Sequence, residues 1–466
     1  MQNFCDFESW GFIVIISILL ISLLVANILK RRVGVLRKSL IPTSVLGGVI
    51  LLIVTLIYER IVGRPFFNEA FFGTNAYASL ELITYHMLAL GFIAVTFKST
   101  QSNSSAKRNT EIFNTGVTTV STYLMQGILG LSISLVTALI IPGFFKAAGV
   151  LLPFGYGQGT GQALNYGNIY EMDWGFAGGK SFGLAVAALG FISAAIGGVI
   201  HLNILKKKKN IVLPSDDGSE VKVLLSEEIQ SSNEIPMNGS IDKLTFQFVL
   251  IFFVYMLSYL LMRWLGTIMP NLQHLMYGFN FLFGVLVTTL FKFCNNFMLR
   301  KNIITRQYIS PFLMTRISGF CFDMMIVAGI AAIRFDVLKN YWVVLIAMGL
   351  AGAVLTYFYN RFVARTLFPD YCEEQFLAMY GMLTGTASTG VILLRELDPE
   401  FSTPASENLV YQNLPAIVFG FPIMLLAAFA PKEPELTLLI LVGFCIIMNL
   451  ILFRSFIFKK KAGNKK

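Results

Sequence analysis

The sequence predicts an all-α polytopic membrane protein: two inverted-topology repeats of about five transmembrane helices, each with a re-entrant glycine-rich hairpin, plus an extra C-terminal helix. Three observations carry this. The 466 residues are 55% hydrophobic and only 13% charged, with a mean hydropathy of +0.69, whereas an average soluble domain is about a quarter charged. Apolar runs of about twenty residues, the length a spanning helix needs, recur along the whole chain. A short motif, G-x-x-x-G-T, occurs once in each half, at Gly155 to Thr160 and at Gly381 to Thr386.

Taken in order, the apolar segments lie at 11–29, 41–58, 80–97, 112–141, 181–205, 244–268, 273–293, 309–333, 341–360, 412–430 and 436–457. The first has no small-residue cleavage site and is followed by further spans, so it reads as a retained helix rather than a signal peptide. Basic residues bias loops toward the cytoplasm. With the N-terminus outside, 24 of the 36 Lys and Arg fall in inner segments and eight in outer ones. The net charge of +10 is therefore topology and contact with lipid headgroups, not a nucleic-acid patch. Residues 206–243 mix charge with Pro, Ser and Asn and read as a cytoplasmic linker. The chain so divides into a first membrane repeat at 1–205, the linker, a second repeat at 244–430, and an extra transmembrane helix with a basic cytoplasmic tail at 431–466. The five cysteines form no C-x-x-C pair, and with three histidines in all a histidine-rich metal site is hard to build.

Each repeat contains four spans, then the G-x-x-x-G-T element, then a fifth span. The first begins outside and the second inside, so the two are antiparallel. The segments Gly91–Phe97 (GFIAVTF) and Gly329–Phe335 (GIAAIRF) also correspond. The re-entrant elements are expected near 150–170 and near 378–395. Interrupted segments from two inverted halves that meet near the midplane are the arrangement of a secondary transporter.

The stretch PFGYGQGTGQALNYGNIY, 153–170, holds five glycines, two glutamines and two asparagines between runs fit for lipid. Non-helical backbone at membrane depth is tolerated only when buried in protein or lining a wet cavity. Gly155, Gly157, Gly159 and Gly161 can break the helix and let backbone approach a ligand. Helix N-termini exposed by such a break attract anions. Gln158, Thr160 and Gln162 offer donors and acceptors to a carboxylate or oxygens to a sodium ion. Gly385, Thr386, Ser388 and Thr389 offer the same from the second element. Asp323 lies mid-span, where a charge costs several kcal/mol; it is expected to face a cavity and pair with sodium, a substrate ammonium or a nearby cation. The candidate sodium ligands are Thr160, Asp323, Thr386 and Ser388. His86, near the middle of the third span, reads first as a hydrogen-bonded core residue.

Rival classes fail on spacing. Gly175 to Ser181 is one residue short of a P-loop and follows no strand. Thr386 to Gly390 lacks the first glycine of G-x-S-x-G, and H-E-x-x-H is absent. Nothing resembles a channel selectivity filter.

The residues also resemble a known family. Ile41-Pro42-Thr43-Ser44-Val45-Leu46-Gly47-Gly48 resembles the I-P-x-x-V-x-G-G that opens the second helix of the sodium/glutamate symporter family. Gly157-Gln158-Gly159-Thr160-Gly161 resembles its G-x-G-T-G re-entrant stretch. Gly183, Phe191, Gly197 and Gly198 resemble its next span, Ser318 to Arg334 its second-half core helix, and residues 381–390 its second re-entrant stretch. The resemblance implies two inverted five-helix halves with two re-entrant hairpins, sodium-coupled uptake of L-glutamate, and a homodimer with elevator-like motion. It further implies no cofactor besides Na+ as coupling ion, and placement in a bacterial cytoplasmic (inner) membrane. Gln158 stands where family members often have His, the second stretch has no proline, and an eleventh span follows Pro434. Another carboxylate as substrate, such as a dicarboxylate or hydroxycarboxylate, and proton coupling through Asp323 or His86 stay open on this reading.

Overall fold

The computed structural model describes residues 5–98, 105–209, 242–304, 306–399 and 401–455. The linker read at 206–243 lies almost wholly outside the described residues, as does the basic tail beyond 455. Among the described residues the chain is helical, with no β-strand. Numbering only helices of seven residues or more, these are α1 (Phe7–Arg32), α2 (Thr43–Val62), α3 (Ala76–Lys98), α4 (Ala106–Ile140), α5 (Leu151–Trp174), α6 (Gly179–Lys209), α7 (Lys243–Ile268), α8 (Asn280–Arg300), α9 (Pro311–Ala331), α10 (Trp342–Leu367), α11 (Cys372–Leu383), α12 (Ala387–Arg395), α13 (Ala405–Tyr411), α14 (Asn413–Phe429) and α15 (Pro434–Leu452).

Ten of the helices are long and apolar enough to cross a membrane, and a bent pair makes an eleventh. All eleven predicted segments coincide with one of these, with two adjustments. The segment expected at 273–293 is α8, beginning at Asn280, because Gln273–Gly278 forms a separate short helix that stops at Phe279. The segment expected at 412–430 is not one straight span. Residues 415–429 follow α13 at 51°, and Pro422 sits inside α14. Helix starts follow local chemistry: Ser105 caps α4 by accepting from the Arg108 N–H, and Asp242 caps α7 by accepting from the Thr245 N–H. Large apolar side chains such as Ile57, Phe252, Leu290, Phe358 and Ile446 stay exposed on the helix faces, as expected where lipid is the solvent.

The described chain forms two compact units. The first comprises 1–20, 67–102 and 219–328 and holds α3, α7, α8 and most of α9. Ile93 and Phe97 of α3, Ile251 and Val254 of α7, and Met314 and Ile317 of α9 make its core. Buried backbone ends there are met by side chains: Tyr85 donates to the Tyr277 carbonyl at 2.7 Å, and Asn280 donates to the Tyr85 carbonyl at 3.2 Å. His86 pairs through Nδ1 with the Tyr255 hydroxyl at 2.7 Å. It is hydrogen-bonded as expected, but on an exposed face rather than in the core.

The second unit comprises 21–66, 103–218 and 329–466. Its longest helix, the 35-residue α4, packs against α10, α14 and α15. Beside it lie α5, α6, α11 and α12, where both glycine-rich elements fall.

Candidate functional site

A break in the backbone divides α5 into two helices. Gly159 has φ 73° and ψ −165°, a region essentially reserved for glycine. The rings of Phe154 and Tyr166 stack with centroids 3.9 Å apart. Twelve residues of straight helix rise about 18 Å, so the arms 151–158 and 160–174 fold back on each other with Gly159 at the turn. The second element is a hairpin of the same kind. Its arms are α11 and α12, its turn is Thr384 to Thr386, and a Cβ added at Gly381 would lie 2.7 Å from the Gly390 Cα. Both turns fall on the second glycine of the shared motif, Gly159 and Gly385.

Helix α6 shows how the two hairpins are disposed. Near its start it meets the first hairpin: a Cβ on Gly167 would come within 2.5 Å of the Gly179 carbonyl oxygen, and one on Gly183 within 2.3 Å of the Ala163 carbonyl oxygen. Gly155 lies against Ala187. Only small residues allow backbones this close. Further along, α6 meets the second hairpin: Gly190 faces the Thr384 carbonyl, Ser193 accepts through its carbonyl from the Tyr380 hydroxyl at 2.9 Å, and His201 reaches Glu373 at 3.0 Å. The hairpins thus occupy opposite halves of α6 and point toward each other. Their bases, at 179 and 201, stand about 33 Å apart along its axis.

The tips meet. A Cβ on Gly159 would sit 3.0 Å from the Thr386 Cγ2 and 3.8 Å from both the Gly385 carbonyl oxygen and the Phe191 ring. The second arm of each hairpin, 160–174 and α12, begins at this point. Two helix N-termini, with their positive dipole ends, therefore converge on one place. First-arm carbonyls end there as well. Hydrogen bonds to neighbouring helices hold the first hairpin: Tyr123 of α4 donates to the Gly157 carbonyl at 2.9 Å, and the hairpin's own Tyr156, Tyr166 and Tyr170 donate to the carbonyls of Gly349 at 2.5 Å, Met424 at 2.8 Å and Ala427 at 2.7 Å.

Of the residues expected at the site, Gly155, Gly157, Gly159, Thr160, Gly161, Gln162, Gly385 and Thr389 are buried. Gln158 and Thr386 are partly buried, and Ser388 is exposed. Thr386 Oγ1 lies 3.4 Å from Thr389 Oγ1. Gln162 is 1% exposed, yet neither atom of its amide has a hydrogen-bond partner. Asp323 belongs to the first unit and is exposed on α9. Two contributors escaped the sequence reading of the tips. Phe191 has its ring beside both turn glycines, and Gly329 leaves space that Thr160 fills, with Cβ 2.6 Å from where a side chain would start.

A charged cluster at the base of the second hairpin was also not legible. The Arg361 guanidinium grips both oxygens of Glu373, Nη2 to Oε1 at 2.6 Å and Nη1 to Oε2. His201 bridges Glu373 and the Tyr357 hydroxyl, at 3.0 and 2.9 Å. These residues are up to 172 positions apart, so no local pattern announces them. Among the described residues, no group of three or more His, Cys, Asp or Glu could hold a metal ion.

The sequence profile of the sodium/glutamate symporter family matches residues 10–364. The chain belongs to this family. No curated protein matches it significantly. As a sodium/glutamate symporter family member the protein is a transporter rather than an enzyme, and the family implies sodium as its coupling ion. The match takes in the first hairpin and α6 and ends within α10, so it does not reach the second hairpin.

Proposed function

We infer that this sodium/glutamate symporter family member takes up L-glutamate together with sodium, by alternating access, at the meeting point of its two hairpin tips. The contact between Gly159 and Thr386 near the middle of α6 carries the reading. The hairpin bases stand about 33 Å apart, close to the roughly 30 Å of a bilayer's hydrocarbon core. On this reading each hairpin is re-entrant, one from either face, and the two repeats are inverted with the N-terminus outside. Anionic groups of the substrate sit at the N-termini of residues 160–174 and α12, where the helix dipoles favour negative charge. The idle amide of Gln162 and the side chain of Gln158 supply further polar contacts that orient the substrate. Sodium takes oxygens from Thr160, Thr386 and the first-arm carbonyls. Because every side chain at the tips is neutral, the empty site carries no net charge through the membrane, and the charge of the substrate is compensated by the ion travelling with it.

The test is uptake of radiolabelled L-glutamate into proteoliposomes under an inward sodium gradient, with potassium as the control. Sodium-driven accumulation, competed by unlabelled L-glutamate, is the expected result. A folded, reconstituted protein that accumulates no glutamate under sodium rejects this substrate. Normal uptake by folded Gly159→Leu and Thr160→Ala variants rejects the site.

A further inference from the structure

Helices α4 and α10 run antiparallel, and at one level they bring four polar residues face to face. Thr122 and Gln126 stand one turn apart on α4, Thr356 and Asn360 one turn apart on α10. All four are at most 1% exposed. Gln126 Nε2 donates to the Thr356 hydroxyl and to the Leu383 carbonyl, both at 2.9 Å. Asn360 Nδ2 donates to the Thr356 carbonyl at 2.9 Å and approaches the Thr122 hydroxyl at 3.4 Å. These bonds fix which way each amide points, since turning either one over would set carbonyl against carbonyl. Gln126 Oε1 and Asn360 Oδ1 are then left buried with no donor. Two unsatisfied carbonyl-type oxygens in one polar square, inside a helix bundle, call for an occupant.

We propose that this square is a sodium site distinct from the hairpin tips, formed by Gln126 Oε1, Asn360 Oδ1, the hydroxyls of Thr122 and Thr356, and the Leu383 carbonyl. Neutral oxygens can replace the hydration shell of a small alkali cation. With no carboxylate in the set, the square suits a single positive charge better than a divalent one. Leu383 is the last residue of α11, immediately before the Thr384–Thr386 turn. An ion drawn to this carbonyl therefore also positions the second hairpin tip. Occupancy of the square and binding at the tips are linked, and each favours the other. The buried polar stripe Thr115, Thr119, Thr122, Gln126 along α4 extends from the square toward Glu111 and Arg108 at the start of that helix. The role in coupling rests on the transport reading above; the site itself does not.

The experiment uses the purified full-length protein without glutamate. Its unfolding temperature is titrated with sodium chloride against equal potassium or choline chloride. Sodium-specific stabilisation is expected in the wild type. Thr356→Val, which keeps the side-chain shape, and Asn360→Leu are expected to raise the half-saturating sodium concentration at least tenfold. In proteoliposomes the same variants are expected to need more sodium for half-maximal uptake while keeping the glutamate KM at saturating sodium within threefold. Should Asn360→Leu fail to fold, Thr356→Val carries the comparison. Titrations of the folded variants that match the wild type overturn the proposal, and so does a wild type indifferent to sodium, whose orphan oxygens then hold only water. Sodium-specific stabilisation without glutamate uptake leaves the site standing and removes the transport reading.

Discussion

Replacing Gly159 by alanine tests the tip geometry most directly. Two costs arise. The backbone at φ 73° and ψ −165° is one that an L side chain occupies only at about 1–3 kcal/mol. The new methyl also starts 3.0 Å from the Thr386 Cγ2, so one of the two must yield by a few tenths of an ångström. If the tips must meet for transport, the backbone cost alone lowers kcat/KM for uptake by a factor of about 5 to 150. The two costs separate in a double-mutant cycle. Thr386→Ser removes the Cγ2 methyl and keeps the hydroxyl, so Gly159→Ala/Thr386→Ser is expected to recover the steric part and no more. Initial uptake rates in proteoliposomes give the kinetics, and thermal unfolding of each purified variant establishes that it is folded. Wild-type kcat/KM in a folded Gly159→Ala protein refutes the reasoning. Complete rescue by Thr386→Ser refutes the backbone half of it.

Other consequences follow from packing and charge. Glu373→Ala leaves the Arg361 guanidinium, whose side chain is 12% exposed, without its anion; breaking such a pair costs about 3–5 kcal/mol, so thermal unfolding should show a large loss with a smaller one for Glu373→Gln, and an unchanged transition would reject the cluster as a structural tie. Gly183→Leu drives a side chain into the Ala163 carbonyl and is expected to abolish folded protein on size-exclusion chromatography. Gly443→Leu, on an exposed helical face with nothing within 4 Å, should stay within about 0.5 kcal/mol of wild type, and equal yields of the two variants would argue against the α5–α6 seam. Asp398, in the turn after α12, is held below the usual carboxylate range: burial alone would raise it, but the hydroxyls and N–H groups of Thr403 and Ser402 bond its oxygens and outweigh that. A folded-state value below the unfolded one means stability that is present above about pH 4 and lost as pH falls through the folded value. The Asp398→Asn protein should therefore be less stable at neutral pH and lose less on acidification than the wild type, by thermal unfolding across pH.

How much of this was legible in the sequence depends on whether the signal was local. The spans were, because hydrophobic length is a property of consecutive residues; only their ends moved, where Phe279 stops a turn of helix before α8 and where α13 meets α14 at an angle. The two turns fall on equivalent residues of the two G-x-x-x-G-T copies, for different reasons: Gly159 takes a backbone angle that favours glycine, whereas Gly385 has no room for a side chain beside Thr389 and Phe191. The tips' neighbours were not: Phe191 and Gly329 look like any other core phenylalanine and packing glycine. The square of Thr122, Gln126, Thr356 and Asn360 joins residues up to 238 positions apart, and in helices buried on several sides a lone threonine or asparagine stands out little. Asp323 drew attention as a charge within an apolar run. The Glu373 cluster did not, since its glutamate sits among ordinary polar residues after Pro369.

The seam between α5 and α6 is made of main chain against main chain, at Gly167 with Gly179 and at Ala163 with Gly183. A joint of that kind has no rotamers to reshuffle and no long side chains to absorb a displacement. It is mechanically stiff, with little play in any direction short of separation. Such a joint disfavours the first hairpin swinging open on α6 as a lid on a hinge. On the transport reading proposed above, the two are expected to move as one piece, with the exposure of substrate to either side arising at surfaces with more compliant side chains.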